Sequence, residues 1–317
     1  MDEIRVPIAD ASRRNALGDS DAAAFRAAGA LVVRRLLRGD ELVALRDQTL
    51  ALVERAAATR VSDMDFQYKR HPDGREVPFR IEYVIDKLPA CRALLGHPLV
   101  LRSVERLQGR DFIPTWDSMV FKLAGAGAAI EWHRDADTGQ CDGERPIFNV
   151  DFYLDGSDAS NCLWAIPGSN HWSDVEAERV CAARNAGGFR TDGAVPLPLE
   201  PGDALLHDIL LVHGSPPTRG GLRRVIYYEF RPAEVELRLG PHTPSYVPAK
   251  RSVLHSCLRE RAGAPWARGE ARYVYGPDPP LAPGERLASY RVPHHEHWRW
   301  DLEKARAEAR AQRGVAH

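Results

Sequence analysis

An excess of one charge is the first thing missing from this 317-residue chain: 43 Lys and Arg stand against 44 Asp and Glu, a formal net charge of −1. A near-neutral surface has no global field to draw it to nucleic acid or an anionic membrane. There is also no basic arm and no long block of like charge. Long apolar runs are missing too: no segment approaches the ~20 residues of a membrane span. Met1–Asn15 lacks the apolar centre of a secretory signal. Cysteine is sparse. Cys91, Cys141, Cys162, Cys181 and Cys257 are odd in number, scattered, and form no CxxC pair. That argues against a disulfide framework and for free thiols in a reducing cytoplasm. Repeats and low-complexity segments are absent. With 44% hydrophobic residues, the chain has the composition of an ordinary globular protein.

Residues 20–110 have helical character. Ala24–Leu37 reads as a short helix followed by an apolar strand, Ala30–Val33. Asp40 caps a helix to about Ala57, with Leu42, Leu45, Leu50 and Val53 near helical spacing. Val61–Glu76 is polar, contains the turn Pro72-Asp73-Gly74, and reads as a loop. Pro89–Leu107 carries a second helical pattern. From Phe112 to about residue 235 the pattern changes to short runs of Val, Ile, Phe, Tyr and Trp split by Gly, Pro, Asp and Asn, as in a sandwich or barrel. Trp116–Leu123 and Leu222–Phe230 read as strands. Ile147–Leu154 alternates, with Phe148, Val150, Phe152 and Leu154 on one face and Asn149, Asp151 and Tyr153 on the other. A polar face opposite a wholly apolar one suits a barrel lumen, or else solvent. The remainder, 236–317, is rich in Pro and charge and ends in a helix from about Asp301 to Arg313.

The chemistry concentrates in Trp132-His133-Arg134-Asp135 and, far downstream, in His213. Residues i and i+2 of a strand point to the same side, so His133 and Asp135 can reach one metal. Two histidines and a carboxylate form the facial triad of non-haem Fe(II) sites, which leaves the opposite face open. Ten and eleven residues beyond His213 come Arg223 and Arg224. Either guanidinium offers two parallel N–H donors to a carboxylate. Strand parity favours Arg223, which shares a face with Tyr227 and Glu229, whereas Arg224 shares one with Ile226, Tyr228 and Phe230.

Taken in order, W-H-x-D, Asn161-Cys162-Leu163 with Ile166-Pro167-Gly168-Ser169, the Pro201-Gly202-Asp203 turn before an apolar strand, and His213-Gly214-Ser215 followed by arginine resemble the phytanoyl-CoA dioxygenase family. The resemblance runs over roughly residues 20 to 235. It implies a mainly β fold, a double-stranded β-helix (a jelly-roll, cupin-like barrel) with N-terminal and flanking helices. We expect one domain over residues 1–317. The resemblance also implies an Fe(II)- and 2-oxoglutarate-dependent dioxygenase that uses O2 and releases succinate and CO2. His133, Asp135 and His213 would ligate iron, Arg223 would bind the distal carboxylate of 2-oxoglutarate, and Ser215 and Lys122 would help hold it. Related halogenases lack the carboxylate ligand, so Asp135 argues for oxidation, most simply hydroxylation, over chlorination. The competing reading is a cupin-like metal or ligand-binding barrel without turnover, which has no need of the arginine.

Substrate residues are harder to name. Asn149, Arg80 and Trp132 are candidates. Asn149 and Asp151 face either ligands or solvent, Arg80 with Glu82 and Tyr83 forms either a substrate mouth or a surface ion pair, and Trp132 and Trp164 are either pocket wall or core. His207 reads as a buried, hydrogen-bonded histidine and not as a ligand. His294, His295 and His297 with Trp298 and Trp300 read as a wrapping tail in preference to a metal site. A free small molecule, such as a biosynthetic intermediate, is the expected substrate, with no nucleic-acid or membrane partner. The oligomeric state is not legible.

Overall fold

Strands with one apolar and one polar face organise the molecule. The computed structural model describes residues 4–13, 16–59, 65–276 and 287–297. In chain order these are β1 (Ile8–Asp10), α1 (Asp19–Ala28), β2 (Ala30–Arg34), α2 (Gly39–Thr59), β3 (Phe66–Arg70), β4 (Glu76–Glu82), α3 (Val84–Lys87), α4 (Pro89–Leu95), α5 (Pro98–Gln108), β5 (Phe112–Lys122), β6 (Ile130–His133), β7 (Phe148–Tyr153), β8 (Leu163–Ala165), α6 (Asp174–Asn185), β9 (Val195–Leu197), β10 (Ala204–Asp208), β11 (His213–Ser215), β12 (Arg223–Pro232), α7 (Ala233–Leu239), α8 (Tyr246–Gly263) and α9 (His294–His297).

The strands form two sheets. The larger has the order β1-β2-β10-β7-β12-β5-β4-β3, and the smaller β6-β11-β8-β9. All pairings are antiparallel except β1 with β2. This is a jelly-roll barrel. On the outer face of the larger sheet, Phe148, Val150 and Phe152 of β7 and Ile226, Tyr228 and Phe230 of β12 share one core with Leu45 and Val53 of α2, Leu94 of α4, Val104 of α5 and Leu254 of α8. Between the sheets, Tyr153, Leu205 and Val225 meet Leu163 and Ala165 of β8. The alternation along β7 therefore divides helix-facing from lumen-facing residues.

Arg224 fastens the helical layer to the barrel. Its Nε and Nη2 donate to the two Asp155 carboxylate oxygens at 2.8 and 2.9 Å, and its Nη1 donates to the Arg46 carbonyl of α2 at 2.6 Å.

Three sequence expectations need correction. The expected loop over 61–76 contains β3, and Pro72-Asp73-Gly74 turns it into β4. Charged Lys69 and Arg70 hide the alternation of Phe66 and Tyr68 on this edge strand. The single helix over 89–107 is two, because Pro98 starts a new helix just after Gly96. The segment after Pro232 holds α7 and the 18-residue α8. The helix expected at 301–313, with Trp298 and Trp300, lies outside the described residues, as do 1–3, 14–15 and 60–64. Among the described residues all five cysteines are free, and no helix is long and apolar enough to cross a membrane.

The turn Pro201-Gly202-Asp203 leads into β10, which carries part of the site. Gly202 has φ +92°. Its N–H donates to Tyr153 O at 2.8 Å and its carbonyl accepts from Leu37 N at 2.8 Å. A Cβ would collide with the Leu37 carbonyl oxygen. Gly202→Ala should therefore destabilise the fold by about 2–3 kcal/mol, read as a lower urea midpoint. An unchanged midpoint would show that the turn yields freely.

Candidate metal centre

β6 ends at His133 and β11 begins at His213, and the antiparallel register places the two directly opposite. Asp135 follows just beyond β6, its backbone N–H donating to Ile209 O at 2.9 Å. One potential ligand atom from each of His133, Asp135 and His213 lies within 4.8 Å of the others, the one such group among the described residues. The imidazole centroids are 4.4 Å apart, and His133 Nε2 is 3.4 Å from Asp135 Oδ1. Each ring is oriented from behind: His133 Nδ1 lies 2.8 Å from Glu131 O and His213 Nδ1 2.9 Å from Leu211 O. A carbonyl only accepts, so each Nδ1 carries a proton and Nε2 is the ring atom left to face a metal. Burial, then the neighbouring His133, pushes the His213 imidazole down to about 3. It is thus neutral, as a ligand must be. Desolvation pushes the Asp135 carboxyl up, but His213, His133 and His207 outweigh it and hold it well below the usual range. Two imidazole nitrogens and a carboxylate oxygen, with space in front, fit a divalent iron.

That space is a cavity of about 120 Å³ between the two sheets, lined by the three candidate ligands and by Ser215, Arg223, Asn149, Asp151, His207, Tyr153, Arg80 and Tyr227. Arg223 is buried. Its Nη1 donates to Asn161 O at 2.7 Å, and its guanidinium lies over the Tyr153 ring at 5.8 Å. Its Nε has no partner. The guanidinium as a whole lines the cavity, where a carboxylate would supply the counter-charge it lacks. Ser215 Oγ donates to the same Asn161 carbonyl at 3.2 Å. Arg224 points to the other face, onto Asp155.

Two expected site residues are not at the cavity. Lys122 donates through Nζ to Ala128 O at 2.6 Å and Pro216 O at 2.7 Å. It ties down the loop after β5 and does not line the cavity. Burial, then the Arg223 charge, lowers its amine to about 6. Trp132 faces away because alternation along β6 opposes it to His133, and it stacks on Phe189 with ring centroids 5.0 Å apart. Trp164 joins that same cluster. Asn149 is at the cavity, but its Nδ2 is engaged by Asp135 Oδ2 at 2.9 Å. Arg80 lines the cavity, with Nε 2.5 Å from Glu82 Oε1 and Nη2 donating to the Tyr227 hydroxyl. Tyr83 and His294 stack with centroids 5.2 Å apart, away from the cavity.

Sequence reasoning missed Asn185, the last residue of α6. Its Oδ1 accepts from Trp132 N at 2.9 Å and its Nδ2 donates to Trp132 O at 2.9 Å. One carboxamide thus holds both backbone groups of the residue before His133. A lone Asn at a helix end carries no signal for this contact. Arg134 anchors the other side, donating to Ser169 O at 2.7 Å and Trp172 O at 2.8 Å.

Comparison with known proteins identifies the family and the fold. The family described as "Phytanoyl-CoA dioxygenase (PhyH)" matches residues 25–226. No curated protein matches the chain. Among solved structures, AviO1 from Streptomyces viridochromogenes Tue57 is 26% identical, with a TM-score of 0.55 over 67% of this chain and 93% of that one. EvdMO1 is 25% identical with a TM-score of 0.55, over 67% of this chain and 49% of that one, so the chain spans about half the length of EvdMO1. EctD from S. alaskensis with bound Fe shares the fold at 20% identity and a TM-score of 0.55, over 69% of this chain and 78% of that one.

Removing the Asn185 clamp should loosen β6 without emptying the core. We expect Asn185→Ala to cost about 1–2 kcal/mol of stability and to weaken Co(II) binding about tenfold, measured by denaturation and by calorimetry. Unchanged Co(II) affinity would show that α6 does not govern the site.

Proposed function

The chain belongs to the phytanoyl-CoA dioxygenase family, and we propose on that footing that it hydroxylates a small organic molecule, such as a biosynthetic intermediate. It is an oxygenase dependent on Fe(II) and 2-oxoglutarate. In this reading His133, Asp135 and His213 hold the iron, and Arg223 and Ser215 hold the co-substrate. The buried guanidinium of Arg223, which lines the same cavity as the three candidate ligands and is paired with no carboxylate among the described residues, carries the reading, because a barrel that only bound metal would have no use for it.

When bound, the iron with 2-oxoglutarate and O2 supplies the oxidising chemistry, and 2-oxoglutarate leaves as succinate and CO2. The protein's part is placement. His133 and His213 would hold the metal through Nε2 and Asp135 through Oδ1, and Arg223 would hold the far carboxylate of the co-substrate. The cavity walls, Tyr153, Leu163 and Val225, exclude water on the inner side. Arg80, Phe79 and Tyr227 line the same cavity and would be the side chains that meet a substrate there. A carboxylate ligand at Asp135 would stand where a halide would otherwise bind, which favours oxygen insertion.

The test is succinate formation from 2-oxoglutarate that depends on Fe(II), followed by mass analysis of products from a metabolite panel. A product heavier by one oxygen is expected; a chlorine isotope pattern in chloride-rich buffer would overturn the hydroxylase assignment. His133→Ala and His213→Ala should lose nearly all turnover while remaining folded, and full activity in either would remove it from the ligand set. Arg223→Leu and Arg224→Leu should part company. The first should weaken 2-oxoglutarate binding by about 3–5 kcal/mol, by analogy with breaking a buried ion pair, with the melting temperature little changed. The second should lower the melting temperature, because it strands buried Asp155. If Arg224→Leu alone raises the 2-oxoglutarate requirement, the arginine assignment is wrong.

A further inference from the structure

A carboxylate can bind a metal through one oxygen or through both. In a facial site the difference matters, since a second oxygen takes a position that the co-substrate or O2 needs. The two oxygens of Asp135 are not equivalent here. Oδ1 faces His133 Nε2 at 3.4 Å. Oδ2 accepts from Asn149 Nδ2 at 2.9 Å and lies 3.1 Å from His207 Nε2. His207 in turn faces Asp151, whose Oδ2 lies 3.1 Å from its Nδ1 as an ion-pair contact without hydrogen-bond geometry, and its ring lies 4.7 Å from that of His213. His207 on β10 and Asn149 on β7 are direct cross-strand partners, so both donors stand on rigid backbone.

Folding alone does not call for this arrangement. Leu205, two residues earlier and on the same inward face of β10, fills the inter-sheet layer with an apolar side chain. A buried ring between two carboxylates is a weak source of stability compared with an apolar residue of similar size. We propose that His207, braced by Asp151, is a positioning residue that engages Oδ2 of Asp135 so that the carboxylate presents only Oδ1 to the metal and the opposite face stays open for 2-oxoglutarate. This rests on the metal assignment above. Asn149 shares the load, so removal of His207 should loosen the carboxylate without destroying the site.

The test uses Co(II) and 2-oxoglutarate as probes, with the full-length protein. In His207→Phe, Co(II) affinity should stay within about threefold of wild type, while 2-oxoglutarate binding to the Co(II)-loaded protein should fall about tenfold or more. The visible Co(II) absorption should weaken as the coordination number rises. His207→Gln, whose amide can still donate to Oδ2, should recover most of the 2-oxoglutarate affinity. Unchanged 2-oxoglutarate affinity in His207→Phe overturns the proposal. So does parallel loss of both ligands that His207→Gln does not rescue, which is what a merely structural role predicts. If His207→Phe fails to fold, Asp151→Asn carries the test: weaker 2-oxoglutarate with Co(II) retained is expected, and no change overturns the proposal. Failure of the wild-type protein to bind Co(II) would instead sink the metal assignment, and this proposal with it.

Discussion

The pairing of β6 with β11 is the constraint on which the site depends. Those two short strands bring residues 80 positions apart to the same rung, with His213 opposite His133. A slip of one residue would turn either ring to the opposite face of the sheet. The hydrogen bonds that such short strands can make are too few to fix that register alone. The neighbours complete it: Asn185 holds the backbone of Trp132, Arg134 reaches the carbonyls of Ser169 and Trp172, and Ser169 Oγ accepts from Val212 N at 2.8 Å. The Pro-Gly-Ser turn and the two metal-ligand segments are therefore one mechanical unit, although they are far apart in the chain.

Charge in the cavity walls is largely settled before any ligand arrives. His207 lies between Asp135 and Asp151; burial opposes its protonation, but those two carboxylates raise its pKa to about 10. Arg80 is matched by Glu82, and Glu82 also accepts from Ser118 and Gln67. Arg223 differs, since the acceptor it has is a neutral carbonyl. A divalent metal and a dianionic co-substrate would offset one another, and the far carboxylate of that co-substrate would meet the guanidinium that lacks a counter-charge.

Much of this was legible in the sequence where period-two alternation is strong. Asn149, Asp151 and Tyr153 face the lumen and Phe148, Val150 and Phe152 the helices, as the pattern on β7 predicts. The same parity separates Arg223 from Arg224. Alternation fixes a face but not a destination, which is why Trp132 and Lys122 were misplaced. Trp132 sits next to a ligand yet on the opposite face. Lys122 is on a lumen-side strand, but its amine folds back to two carbonyls. Asn185 and the helix that carries it left no trace, because a single carboxamide meeting distant backbone is a tertiary event with no local pattern. Helix α8 was obscured for a different reason: its buried residues include Lys250, His255 and Arg261, so no clean apolar stripe marks it.

Asn185 has a consequence beyond the metal. β6 is the outer strand of the smaller sheet, and an open strand edge is a template on which another chain can assemble. The Asn185 carboxamide occupies both the N–H and the C=O of Trp132, the two groups that an incoming strand would bind. This edge of the smaller sheet is thereby closed to a further strand, and the same amide that steadies β6 removes one template for assembly.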